Sequence, residues 1–183
     1  MGRLVINSSM SVNGAFEAPS PDKWLVVDSD SNNVSLEQLH VADALVLGRK
    51  TYEGLAAVWP TLAGDPTFGA TAERLNSMPK YVASRSPRGP LSWNATLLEG
   101  ELAESVPAIK DRHGLLVVSG AGELAHALIG LGLVDEFWFW VSPYLWASGP
   151  RIFDGVGSVR LELIGSTTFP SGVLRLAYRP APY

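Results

Sequence analysis

Cysteine is absent from this chain. That excludes a disulfide framework, a thiolate nucleophile and a cysteine-ligated metal centre, and leaves no pointer to an oxidising compartment. Charge of a single sign is also missing: 14 Lys and Arg against 18 Asp and Glu leave a formal net charge of −4. Such a balance builds no field that would attract a phosphate backbone or an anionic membrane, so nucleic acid is not an expected partner. Long apolar runs are lacking too. Leu4-Val5-Ile6 is closed at once by Asn7-Ser8-Ser9, too short for a signal h-region, and no stretch nears the roughly 18 apolar residues of a membrane-crossing helix. Histidine is scarce, and His40, His113 and His126 lie at spacings that suit no metal, so none is expected. A soluble, cytoplasmic protein is the expectation.

What is present is apolar residue in quantity, 46% of 183 positions. This is enough for one substantial core and little for two, so a single domain over residues 1–183 is expected. Leu4 to Ile6 reads as a strand, and the polar stretch from Ser8 to Asn33 as a long loop, a feature that compact domains usually keep for function. Ser35-Leu36-Glu37-Gln38 fits a capping box that opens a helix through Ala42. Ala44 to Leu47 follows as a buried strand. From Thr51, Tyr52, Leu55, Ala56 and Trp59 form one apolar helical stripe.

The unit recurs. Lys80 to Ser84 reads as a strand, Glu101 to Arg112 as a helix disturbed by Pro107, and Leu115 to Val118 as a strand with no polar face, the mark of a central parallel strand. A helix spans about Gly122 to Leu131, and Phe137 to Val141 is again a strand apolar on both faces. The end changes character: Val159, Leu161 and Leu163, then Leu174, Leu176 and Tyr178, alternate with charged residues around the turn signal Pro170-Ser171-Gly172. The fold class is therefore α/β: a central, mostly parallel sheet with flanking helices and a C-terminal antiparallel hairpin.

Three strand ends carry chemistry. At Gly48-Arg49-Lys50-Thr51 a buried strand passes through Gly into a helix, where free N–H groups and the helix dipole favour an anion and two cations add to it. A tight turn with solvated side chains is the plain alternative. At Ser119-Gly120-Ala121-Gly122-Glu123-Leu124 small residues again lead from a strand into a helix start; Ala125 stands where a full GxGxxG needs its third glycine, so the standard dinucleotide fingerprint does not fit. Ser84-Arg85-Ser86 suits a 2′-phosphate, or a solvated turn before Pro87. A parallel sheet brings such ends to one side, and the three together argue for a phosphorylated dinucleotide.

Gly48-Arg49-Lys50-Thr51-Tyr52-Glu53 resembles the Gly-Arg-Lys/Arg-Thr-aromatic-Glu motif of dihydrofolate reductases and their bacterial relatives. A closer resemblance is to the reductase half of the bifunctional riboflavin-biosynthesis deaminase-reductase and its stand-alone bacterial members. Met10-Ser11-Val12-Asn13-Gly14 is similar to that family's Ser-Leu-Asp-Gly loop. Gly120 to Leu124 with Gly132-Leu133-Val134-Asp135-Glu136 is similar to its Gly-Gly-Gly-Glu-Leu and Gly-Leu-Val-Asp-Glu block, and Ser142-Pro143 and Gly149 to Phe153 to the segment that follows. The likeness covers nearly the whole chain.

The resemblance implies a dihydrofolate-reductase-like fold, an NADPH cofactor and commonly a homodimer. By it, Arg49, Lys50, Thr51, Ser84 and Arg85 would hold the adenosine phosphates, the backbone of Gly120, Ala121, Gly122, Glu123 and Leu124 the pyrophosphate, and Asn13 and Gly14 would lie beside the nicotinamide. Three departures stand out: Asn13 for Asp, Ala121 for Gly, and Leu145-Trp146-Ala147-Ser148 for a glycine-rich turn. The carboxylate that dihydrofolate reductases place on their first helix has no match here, so folate reduction is not expected.

For the acceptor, hydride transfer asks mainly for position and exclusion of water. Asn13, Asp22 and Trp24 are the candidates around the reacting ring, Asp22 as proton donor or else a solvated loop carboxylate, and Trp24 as a wall. Trp24 sits in an otherwise polar stretch with no apolar stripe to join, and matches a tryptophan of the stand-alone relatives. Trp59, Phe68 and Tyr144 read first as core-packing residues, with walls for a flat heterocycle as the other reading of each. The expected activity is NADPH-dependent reduction of a small planar heterocycle, pteridine- or pyrimidine-like, or of a related ribityl-type intermediate. The alternative is a nucleotide-binding module without hydride transfer.

Overall fold

The computed structural model describes residues 1–16, 29–85 and 89–182. Strands β1 (Arg3–Ser11), β2 (Ala44–Gly48), β3 (Lys80–Ala83), β4 (Ala95–Leu97), β5 (Leu115–Ser119), β6 (Glu136–Ser142), β7 (Leu161–Thr168) and β8 (Leu174–Pro180) form one sheet in the order β4-β3-β2-β5-β1-β6-β8-β7. The first six run parallel, while β6–β8 and β8–β7 are antiparallel. This is the α/β class and C-terminal hairpin that the sequence predicts.

The apolar runs explain themselves by alternation. Leu4, Ile6, Val46, Leu116, Val118 and Phe137 point to one face, where they meet Val106 and Ile109 of α4 (Leu102–Lys110) and Leu128 of α5 (Glu123–Gly130). Val5, Leu45, Leu47, Val117 and Trp138 point to the other, against Tyr52 of α2 (Arg49–Val58) and Leu75 of α3 (Gly69–Ser77). A strand covered by helices on both sides has no face left for polar residues. Helix α1 (Ser29–Val41) lies on this second side, beside α3.

Several boundaries differ from the sequence reading. Strand β1 continues past Ile6 to Ser11, pairing Ser9 with Trp140 and Ser11 with Ser142. The stretch assigned to a long loop from Ser8 to Asn33 is therefore strand at its start and helix at its end. The polar letters misled because Asn7 and Ser9 face a cleft rather than a core. Ser35 does not cap a helix: α1 begins at Ser29, and Ser31, Ser35 and Gln38 lie along one of its faces at i, i+4 and i+7. Helix α3 and strand β4 were not foreseen. Helix α4 runs through Pro107 without breaking, because burial of Val106 at 0% and Ile109 at 3% holds the turn that lost one N–H donor.

Candidate active site

Because the first six strands are parallel, the C-terminal ends of β2, β3 and β5 share one edge of the sheet. There, Gly48 is the N-cap of α2 at φ −71° and ψ 154°, and Gly122 the N-cap of α5. Neither makes a side-chain capping hydrogen bond, so donors in the first turn are left for another partner. The two junctions abut. Gly120 has φ +100°, and a Cβ there would come within 3.5 Å of the Thr51 Oγ1. Glycine is favoured at that position by its positive φ, which a side chain would strain. Gly120 also donates its N–H to the Asn7 carbonyl at 3.2 Å, which ties the loop to β1.

The side chains expected here divide by position. Arg49 Nε donates to Glu53 Oε1 at 2.7 Å, one turn along, and its guanidinium lies 5.8 Å from the Tyr52 ring centre. Lys50 is exposed, Thr51 half-buried. Ser84 and Arg85 follow β3, and Arg85 Nη1 reaches Glu123 Oε2 across the gap to α5 at 3.4 Å, both side chains being more than four-fifths exposed. An ion pair so exposed is worth little, so Arg85 can exchange it for a phosphate. Ala121 alone turns inward, at 1% exposure, into the core beside α5. Ser119 ends β5 opposite Asn7 and lines the neighbouring cleft with it. Leu124 is half-buried beside Gly48.

Asn13 and Gly14 lie in the turn after β1. The Asn13 Oδ1 accepts from Ser11 Oγ at 2.8 Å and from the Trp146 N–H at 3.1 Å, and Nδ2 donates to the Trp146 carbonyl at 2.8 Å. The amide thus pairs with the Trp146 peptide as a neighbouring strand would. Gly14, at φ +81°, accepts from the Ile152 N–H at 2.9 Å. Asp22 and Trp24 fall outside the described residues, as does Ser86.

Beside this edge, on the side of α1, α2 and α3, a cleft of about 270 Å³ opens over the sheet. Its floor includes Leu45, Val117, Trp138 and Trp140. Trp59 and Phe68 stand at its side, edge to face at 6.5 Å and 82°, and Trp59 also packs against the core below. Tyr144 does not line it and instead packs on Trp146 at 5.7 Å. Trp140 donates its Nε1–H to Asn7 Oδ1 at 2.9 Å and stacks on Phe169 at 5.7 Å and 16°. Sequence reasoning missed Asn7, Gln38 and Arg175 altogether. Burial lowers the Arg175 pKa from its usual value, with Glu136 opposing. For Gln38 the signal was present, as the third member of the i, i+4, i+7 polar series. Among the described residues no group of three or more His, Cys, Asp or Glu is arranged to hold a metal.

A family model described as the RibD C-terminal domain matches residues 3–175. The chain belongs to the RibD C-terminal domain family. The chain is 25% identical over 179 residues to the uncharacterised protein YyaP of Bacillus subtilis, covering 96% of this chain and 94% of that one. Its fold is similar to the crystal structure of a pyrimidine reductase-like protein from Corynebacterium diphtheriae, with a TM-score of 0.70 at 14% identity, covering 100% of this chain and 93% of the other. It is also similar to a dihydrofolate reductase from Enterococcus faecalis solved with NADP(H) and RAB-propyl, with a TM-score of 0.63 at 16% identity over 99% and 98% of the two chains. The fold of this RibD C-terminal domain is thus of the reductase type. Among its described residues no helix is long and apolar enough to cross a membrane.

Proposed function

We propose that this chain is an NADPH-dependent reductase that acts on a small, planar, pteridine- or pyrimidine-like heterocycle. One observation carries the reading: the ends of β2, β3 and β5 bring Gly48 to Thr51, Ser84-Arg85 and Gly120 to Leu124 to one edge, beside an aromatic-walled cleft. The residues suit a dinucleotide. The uncapped starts of α2 and α5 offer backbone donors and a favourable dipole to phosphate oxygens, and Gly120 leaves the space a Cβ would fill.

In this reading Arg49, Lys50, Thr51, Ser84 and Arg85 hold the adenosine phosphates, and the backbone from Gly120 to Leu124 the pyrophosphate. Bound NADPH supplies the hydride. Ser119, at the junction of edge and cleft, and the Asn13-Gly14 turn border the nicotinamide. Because its side chain is engaged with Trp146, Asn13 acts there by fixing the turn and through its backbone. Asp22 as proton donor and Trp24 as a wall belong to the same proposal. So does a homodimer in a cytoplasmic setting.

Titrating the protein with NADPH and with NADH while following tryptophan fluorescence tests the reading. NADPH is expected to bind much more tightly. Arg85→Ala should cost the NADPH complex about 1.5–3 kcal/mol and leave NADH nearly unchanged, because only one of them carries the 2′-phosphate. Equal affinities, or equal losses in the variant, would remove the 2′-phosphate site. Absence of NADPH oxidation with dihydropterins, ribosylamino-pyrimidines and quinones would remove the reductase.

A further inference from the structure

The strand order extends the proposed phosphate edge by one step. After β3, β2 and β5 comes β1, parallel to β5. The turn that follows β1, Ser11 to Ala15, therefore stands at the same edge of the sheet as the start of α5. An extended molecule lying across both needs their spacing fixed.

His126 bridges the two. It lies one turn into α5, where its N–H donates to the carbonyl of the N-cap Gly122 at 3.2 Å. Its half-buried imidazole places Nε2 at 2.9 Å from the Ile152 carbonyl. A carbonyl oxygen only accepts, so Nε2 carries a hydrogen and donates it, whether the ring is neutral or cationic. Ile152 in turn donates its N–H to the Gly14 carbonyl at 2.9 Å. One residue thus gives its C=O to the helix and its N–H to the turn. The neighbouring residues hold the same pairing: Arg151 bridges Ala15 in an antiparallel contact, and the Phe16 N–H donates to the Pro150 carbonyl at 3.3 Å. The Ile152 side chain, 3% exposed, packs in one cluster with Ala121 and Ala125. Such apolar contact has no direction, whereas a hydrogen bond constrains both distance and angle. We infer that His126 is a positioning residue for the cofactor: through Ile152 it sets the Asn13-Gly14 turn against the start of α5, so that a nicotinamide ring is seated once the pyrophosphate is bound. The inference rests on the NADPH reading above.

The test compares NADP+ with 2′-phospho-ADP-ribose, the same molecule without its nicotinamide ring, each titrated into the whole chain against tryptophan fluorescence. Both reach the phosphate edge, and only NADP+ reaches the turn. In the parent protein NADP+ is expected to bind at least about fivefold more tightly. In His126→Leu that ratio should fall to within about twofold of unity, with 2′-phospho-ADP-ribose changed by less than about twofold, a step the size of one hydrogen bond. His126→Gln carries an amide Nε2 at a reach similar to that of the imidazole Nε2 and should keep the parent ratio. His126→Asn, one methylene shorter, should match His126→Leu and supplies the measurement if the leucine variant fails to fold. A merely structural role would weaken both ligands together and leave the ratio unchanged. That result, a ratio near one in the parent protein, or a loss in His126→Gln as large as in His126→Leu overturns the inference and leaves the phosphate edge standing. Binding of neither ligand overturns the NADPH reading and the inference with it.

Discussion

At position 13 an amide does what a carboxylate could not. Asn13 donates to the Trp146 carbonyl and accepts from the Trp146 N–H, whereas an Asp in its place would set a negative charge against that carbonyl. Two of the departures from the family pattern, Asn13 and the Leu145 to Ser148 turn, are thus one structural feature. Neither could be paired with the other from the sequence, where 132 positions separate them.

Lys80 makes a comparable point. It begins β3 with 1% exposure, donates to the Met78 carbonyl at 2.7 Å and lies 4.1 Å over the Trp93 ring. Burial lowers its pKa from 10.5 to about 8. Between those two values the unfolded chain holds a proton that the folded chain has released, so this residue makes stability rise with pH across that window, while below pH 8 the folded chain carries a buried charge. Lys80→Met is expected to flatten the rise, measured as urea midpoints from pH 7.5 to 10.5. An unchanged slope would show that the burial cost lies elsewhere.

At the scale of elements, the strands with no polar face were the most legible, because two helical layers demand apolar residues on both sides and leave a continuous run. Leu116, at 0% exposure on the α4 and α5 side, supports that layer. Leu116→Ala should cost about 2–5 kcal/mol through lost burial and the cavity left behind, seen as a lower urea midpoint with little change in slope. A loss well under 1 kcal/mol would mean that the layer collapses around the gap. Segments that turn polar side chains to the cleft were the least legible. Helix α1 presents Ser31, Ser35 and Gln38 to it, and β1 carries Asn7 and Ser9 toward it in its second half, so the start of α1 and the later part of β1 lose the apolar pattern that marks an element and read as loop.

For the whole molecule, the parallel order gathers three strand ends at one edge and leaves β7 alone at the other limit of the sheet. Strand β7 is exposed along nearly its full length, with Leu163 at 52% and Ile164 at 43% and an irregularity between Leu163 and Gly165. An open edge of this kind is a pairing surface unless something blunts it, and it is where the proposed homodimer would form. Light scattering after size-exclusion chromatography should give twice the chain mass, and Leu163→Lys with Ile164→Lys should halve it. A monomer in the parent protein, or a dimer untouched by the double change, would remove that interface.

The sequence by itself determined the α/β class, the family, the antiparallel end and the three strand-to-loop junctions for which anion binding is proposed. Each of these depends on short-range information: a run of apolar residues, a glycine before a helix, an alternation of polar and apolar positions. Only the tertiary structure decided which side chains meet. It set Thr51 against Gly120, Asn13 against Trp146, Arg85 across from Glu123, and Arg175 of β8 against Gln38 of α1. Those pairings follow from the order of strands in the sheet, which crossovers between distant segments establish and no local pattern records.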